Sequence, residues 1–89
     1  MTSHLHADFR RCFRKLPTEV RRIAKKNYLL WRDNPSHPSL QFKCVNRTLS
    51  AYSIRIGTDW RAIGLVADGE IIWFWIGPHT EYDHILNRL

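Results

Sequence analysis

The chain has few of the residues that specialised architectures require. Its 89 residues include only two cysteines, Cys12 and Cys44. Their separation matches neither a metal-binding nor a redox motif, and each falls in an apolar pattern, so both are expected to be small core hydrophobes. A structural disulfide is not expected, since a cytosolic chain keeps its thiols reduced. The four glycines form no loop able to cradle a nucleotide phosphate. The longest apolar run, Ile71 to Ile76, is far shorter than the ~20 residues a bilayer span needs. No apolar segment marks the N-terminus as a secretion signal, so the expectation is a soluble cytoplasmic protein without membrane contact. There is no Ser-His-Asp arrangement with supporting context and no pair of carboxylates placed for acid–base work. No metal-ligand spacing is present, and no cofactor is expected. Repeats, linkers and low-complexity stretches are missing too, which makes residues 1–89 one domain.

Acidic residues are also scarce. Eight Asp and Glu face fourteen Lys and Arg, for a net charge of +6. The imbalance is local: residues 1–33 hold nine Lys/Arg against three Asp/Glu, while residues 34–89 hold five of each. A basic first third suggests an acidic partner, either nucleic acid or protein. In the second half, chemistry must depend on where single cations are placed. Aromatic residues, by contrast, are plentiful, with four Trp, four Phe and three Tyr. A domain this small buries only ~60–65% of its unfolded surface, and large rings supply the most buried area per residue.

Hydrophobic periodicity divides the chain in two. Phe9, Cys12, Phe13 and Leu16 recur at helical spacing, with Arg10, Arg11, Arg14 and Lys15 opposite and Asp8 as a candidate N-cap. Pro17 interrupts, and a second helix is predicted from Thr18 to Asp33 along Val20, Ile23, Ala24, Tyr28 and Trp31. This forms a helical hairpin with one apolar and one basic face. A leading strand near Ser3–Ala7 is only weakly signalled. Asn34-Pro35-Ser36-His37-Pro38-Ser39 breaks the helix, and from Leu40 the period becomes two. Strands are predicted over Leu40–Val45, Tyr52–Ile56, Trp60–Val66 and, after the Asp68-Gly69 turn, Ile71–Ile76. That last run is apolar on both faces, as an interior strand should be. Thr80 and Asp83 resemble a capping box, and Tyr82, Ile85, Leu86 and Leu89 stripe a final short helix. The predicted fold class is α+β: an N-terminal helical hairpin packed on a small, mostly antiparallel sheet of three or four strands, with a short C-terminal helix.

Five segments in this order resemble one subgroup of the RelE/ParE toxin superfamily. They are helix-Leu16-Pro17-helix, Asn34-Pro35-x-His37-Pro38-Ser39-Leu40-x-Phe42-Lys43, Tyr52-Ser53-Ile54-Arg55-Ile56-Gly57, Trp60-Arg61-Ala62, and Trp73-Phe74-Trp75-Ile76-Gly77-x-His79-x-Glu81-Tyr82-Asp83. The resemblance covers about Phe9 to Leu89. It implies the toxic half of a bacterial toxin–antitoxin pair, whose active members cut messenger RNA in the ribosomal A site without a metal. It also implies a cognate antitoxin that wraps and blocks the toxin, expected to be acidic and partly disordered. A second branch of the superfamily inhibits DNA gyrase without nuclease chemistry, and an inactive toxin-like binding module is a third alternative.

Metal-free RNA cleavage needs a base for the 2′-hydroxyl proton, a cation for the crowded phosphate and an acid for the departing 5′-oxygen. His79, between the Gly77-Pro78 strand end and the last helix, carries an imidazole, a group suited to either acid or base work. It matches a C-terminal histidine used by several nucleases of the superfamily. Arg61 matches an arginine that in ribonuclease members contacts the scissile phosphate, for which a planar guanidinium is suited. Tyr82 resembles a C-terminal tyrosine that holds a phosphate or stacks on a base, although its place in the apolar stripe also suits the core. Lys43 and Arg55, on neighbouring strands, offer a basic surface for an RNA backbone, and Glu81 is a candidate to orient His79 or contact RNA. Well-known ribosome-dependent members carry several lysines in the active surface, whereas here Lys43 is the sole lysine after residue 33. Either His79 and the arginines replace that arrangement, or catalysis is weak or absent.

Overall fold

The helical period before Asn34 and the alternating period after Leu40 both persist in three dimensions. A computed structural model describes residues 1–89. Its elements are strand β1 (Thr2–Leu5), helices α1 (Ala7–Arg14) and α2 (Thr18–Asp33), a 3-10 turn (Pro38–Leu40), strands β2 (Lys43–Asn46), β3 (Ala51–Ile56), β4 (Trp60–Ala67) and β5 (Glu70–Pro78), and helix α3 (His79–Asn87). The class is α+β, but the sheet has five strands, in the order β1-β5-β4-β3-β2, not three or four. The additional strand is β1, which pairs parallel to β5 while every other pair is antiparallel.

Why β1 is faint in the sequence is clear from its partners. Thr2-Ser3-His4-Leu5 has no alternating apolar signal and is held mainly by the main chain. Thr2 N–H donates to the Gly69 carbonyl at 3.2 Å, and His6 N–H to the Trp73 carbonyl at 2.9 Å. The Tyr28 hydroxyl donates to Ser3 Oγ at 2.8 Å, joining β1 to α2. With β1 on one side and β4 on the other, β5 is an interior strand, which accounts for its two apolar faces.

Local signals at element ends differ from expectation in three places. His6, not Asp8, caps α1: its Nδ1 accepts the Asp8 N–H at 3.0 Å, and Asp8 falls in the first turn, where it pairs with Arg11. α3 begins at His79 with Pro78 at the cap and no side-chain capping bond, so Thr80 lies inside the helix. Pro78 fixes an extended entry, and the first N–H of the helix, that of His79, donates to the Asp59 carbonyl in place of a side-chain cap. Leu40 does not start a strand. It closes the 3-10 turn, is fully buried, and is followed by Gln41 in the left-handed region (φ 47°). That reversal delays β2 until Lys43. Cys12 is half-buried, whereas Cys44 is exposed on the edge strand β2 and is no core residue. No helix is long and apolar enough to cross a membrane.

The main core fills the space between α1, α2 and one face of the sheet, with Leu16, Val20, Ala24, Trp31, Ile54, Ile56, Ala62, Ile71, Trp73 and Ile76. Trp31 is its centre, edge-on to Trp73 (centroids 5.4 Å apart) and Phe42 (5.8 Å) and stacked on Tyr28 (6.1 Å). On the outer side of α2, Arg22 donates a hydrogen bond to Glu19, and its bond and charge hold that carboxyl below the usual carboxylate range. A smaller cluster of Ala51, Ile63 and Trp75 lies on the other face beneath α3, with Tyr82, Ile85 and Leu86 packed on it. The two faces are supplied by one strand because of a bulge: Trp75 is opposite Ile63, yet Trp73 is opposite Gly64. One extra residue, Phe74, lets Trp73 point to the main core and Trp75 to the smaller one.

Candidate functional site

Cross-strand partners project to the same face of a sheet, so the register alone assembles most of the site. One row runs Lys43–Ser53–Ile63–Trp75 across β2, β3, β4 and β5, and the next runs Arg55–Arg61–Gly77. Both rows are on the α3 side, away from the helical hairpin. The first turns of α3 then add His79, Tyr82 and Asp83 at the rim. The result is a concavity of about 230 Å³ lined by Lys43, Ser53, Arg55, Arg61, His79 and Tyr82, with Gln41 and Asp83 at its margins.

Five residues singled out in the sequence thus meet in one place. The sixth, Glu81, is exposed in the first turn of α3 and does not line the concavity. Arg61 shares a face with Ile63, as alternation predicts, but that face carries only the smaller cluster, so the guanidinium stays at the open end. Three positions went unmarked. Ser53, 2% exposed, is at the same strand parity as Arg55, and only its small size hid it. Asp83 had been read as part of a cap. Gln41 gave no signal, because its left-handed conformation is not visible in its identity.

The side chains are held individually. Arg55 Nε donates to the Gly57 carbonyl at 3.0 Å, and Arg61 Nη1 to the carbonyls of Trp60 (2.8 Å) and Thr58 (3.3 Å). The His79 main-chain N–H donates to the Asp59 carbonyl at 2.7 Å. His79 Nδ1 is 3.3 Å from the same oxygen and 4.0 Å from Asp59 Oδ1. The Tyr82 hydroxyl donates to Ser53 Oγ at 2.8 Å, and its ring sits 6.4 Å from that of Trp75. Tyr82 therefore belongs to the smaller core and to the wall of the site at once.

Electrostatically the arrangement costs stability. Like charges directly opposite on antiparallel strands repel, and Arg55 faces Arg61 with Lys43 nearby and Asp83 the one carboxylate among the lining residues. Locally unfavourable placement of this kind is expected where a fold serves a ligand. Three fixed cations beside an imidazole suit a phosphate group and a proton transfer next to it.

Gly77 shapes the floor. A Cβ there would stand 2.6 Å from Trp75 Cζ2, so only glycine lets the indole lie across that position. Gly77→Ala is expected to displace the indole and weaken the Trp75–Tyr82 contact, at a cost of about 1–3 kcal/mol. Thermal melting together with near-ultraviolet circular dichroism checks this. An unchanged aromatic spectrum would show that the ring does not depend on Gly77.

A second, larger hollow of about 740 Å³ lies on the opposite side, between α1 and α2, and is almost wholly apolar. Phe9, Phe13, Leu29 and Trp73 are among its walls, and Arg10, Arg14 and Lys25 stand at its edge.

No family model and no curated protein sequence matches the chain. Solved structures do. The RelE toxin fold of the RelB–RelE complex from Methanococcus jannaschii is similar at a TM-score of 0.72 and 19% identity, covering 91% of this chain and 96% of that one. A RelBE toxin–antitoxin complex of Mycobacterium tuberculosis gives 0.69 at 18% identity, over 86% and 95%. A mutant of E. coli RelE in the free state gives 0.65 at 18% identity, over 99% and 96%. Identities this low establish the fold and leave the chemistry to the residues present.

Proposed function

Starting from a RelE toxin fold, we propose that the chain is the toxin of a toxin–antitoxin pair and a metal-independent endoribonuclease that cuts messenger RNA on the ribosome. The observation that carries this reading is the convergence of Lys43, Arg55, Arg61 and His79 in one cleft. In the reaction, the ribose 2′-oxygen attacks the adjacent phosphorus and the 5′-oxygen leaves, giving a 2′,3′-cyclic phosphate and a 5′-hydroxyl. Arg61 and Arg55 stabilise the extra negative charge on the phosphate oxygens as it develops. His79 takes the proton from the 2′-hydroxyl and passes it to the departing 5′-oxygen. Lys43 extends the basic floor along the RNA backbone, and Tyr82, in the cleft wall, offers an aromatic ring against which a base can stack.

The outward charges of the helical hairpin, among them Arg11, Arg22, Lys25 and Lys26, contact ribosomal RNA phosphates, which makes association fall steeply with salt. The partner is an acidic antitoxin. Its apolar residues fill the larger hollow as an amphipathic helix, and its carboxylates meet Arg10, Arg14 and Lys25 at the edge.

Controlled expression in growing cells with mapping of mRNA 5′ ends tests the proposal. New ends at codon positions in translated messages are expected with the wild type and are expected to be lost with Arg61→Ala. Growth arrest without new ends would transfer the activity to a protein target such as gyrase. No effect on growth would leave an inactive toxin-like module.

A further inference from the structure

The groups around the cleft have one source of restraint in common. Four successive main-chain carbonyls, from the turn after β3 to the first residue of β4, each meet a cleft side chain: Gly57 accepts from Arg55, Thr58 and Trp60 accept from Arg61, and the Asp59 oxygen is 3.3 Å from His79 Nδ1. The same Asp59 oxygen also takes the His79 main-chain N–H, so this segment anchors the start of α3 as well. The pairing of Trp60 with Pro78 brings the turn and the end of β5 side by side.

We infer that the Gly57–Trp60 turn is the positioning element of the cleft and that it sets the tautomer of His79. A carbonyl oxygen can only accept, so the contact at Asp59 requires the proton on Nδ1. The neutral ring then carries its lone pair on Nε2, the reverse of the form that a free imidazole side chain prefers. The Asp59 carboxylate, 4.0 Å from Nδ1, favours the same placement. In the resting state His79 is thereby set to receive a proton at Nε2, not to give one. This last consequence rests on the endoribonuclease reading; the tethering and the tautomer stand on the geometry alone.

The turn can be altered without touching any of the tethered side chains. Gly57 has φ +59°, a conformation glycine adopts freely, asparagine tolerates and a β-branched residue resists. Space is not the obstacle, since a Cβ would be 3.8 Å from Ile23 Cγ2, an ordinary contact. Gly57→Val therefore moves the carbonyls through the backbone, and Gly57→Asn is the conservative control.

The test combines nitrogen NMR of the isolated protein with cleavage of ribosome-bound mRNA. At about pH 8, wild-type His79 is expected to show a protonated Nδ1 and an unprotonated Nε2. Arg55 Nε–H is expected to be shifted and slow to exchange. Gly57→Val is expected to lose both signatures and to cut at least tenfold more slowly, with ribosome affinity within about twofold, the pattern of a lost transition-state contact. Gly57→Asn is expected to restore both. A protonated Nε2 in the wild type, or an undisturbed His79 and Arg55 in a folded Gly57→Val, would overturn the inference. If the tautomer and tethers are as stated but the wild type cuts no RNA, the endoribonuclease reading fails while the positioning role stands.

Discussion

Exchange of His79 for alanine is expected to slow cleavage of ribosome-bound mRNA by about 10²–10⁴-fold, the usual worth of a positioned proton-transfer group, and to leave the fold unchanged. The two halves of this expectation have separate grounds. The side chain is exposed at the first residue of α3, and its one close polar contact is the Asp59 carbonyl. The helix start stays anchored after the substitution, because the main-chain N–H to that carbonyl remains. The packing of α3 uses Tyr82, Ile85 and Leu86, none of which the change touches. Single-turnover cleavage at fixed ribosome concentration measures the first half, and circular dichroism with thermal melting measures the second. Equal rates for wild type and variant would remove His79 from the mechanism. A lowered melting temperature would mean that the loss of activity reports on folding.

The second large effect concerns Trp31. Truncation to alanine is expected to cost about 3–5 kcal/mol, which rivals the whole stability of a domain this size, about 4–13 kcal/mol. Trp31 is 1% exposed and is the only contact point at which Tyr28 from α2, Phe42 after the 3-10 turn and Trp73 from β5 all meet one ring. Its removal takes away the ring through which α2 packs on Phe42 and on Trp73 of the sheet. Because the indole Nε1 has no hydrogen-bond partner, Trp31→Phe gives up ring area but no polar contact and should be far milder. Chemical denaturation of both variants decides this; a Trp31→Ala midpoint close to wild type would mean that the helical hairpin is held elsewhere.

Much of this was legible in the residues. The switch of period at Leu40 separated helices from strands, and Pro17 and Asn34–Ser39 marked the breaks. Lys43, Arg55 and Arg61 could be assigned to an open sheet face because each occupies the less apolar parity of its strand or the end of it. What could not be read is whatever depends on a partner elsewhere in the chain. β1 exists because β5 offers it a ladder, and the residues near Ser3–Ala7 signal a strand only weakly. Alternation would place Trp73 and Trp75 together, and the insertion of Phe74 between paired residues is a property of two strands, not of one. The anchoring of Arg55, Arg61 and His79 uses main-chain oxygens, which every residue possesses and no sequence distinguishes.

On β3, Ile54 and Ile56 belong to the wall of the apolar hollow while Ser53 and Arg55 belong to the cleft. The two concavities are therefore back to back, divided by a single layer of polypeptide and reached from opposite sides of the molecule. An occupant of one takes no space from an occupant of the other. A partner lodged only in the hollow would leave the cleft as accessible as before and would have to act through the sheet itself. A partner that shuts the cleft directly must instead extend past the sheet margin, either along β2 or along β1. Shortening such a partner from the end that turns the corner would then separate two properties usually measured as one: how tightly it holds the protein, and whether the protein is silenced while held.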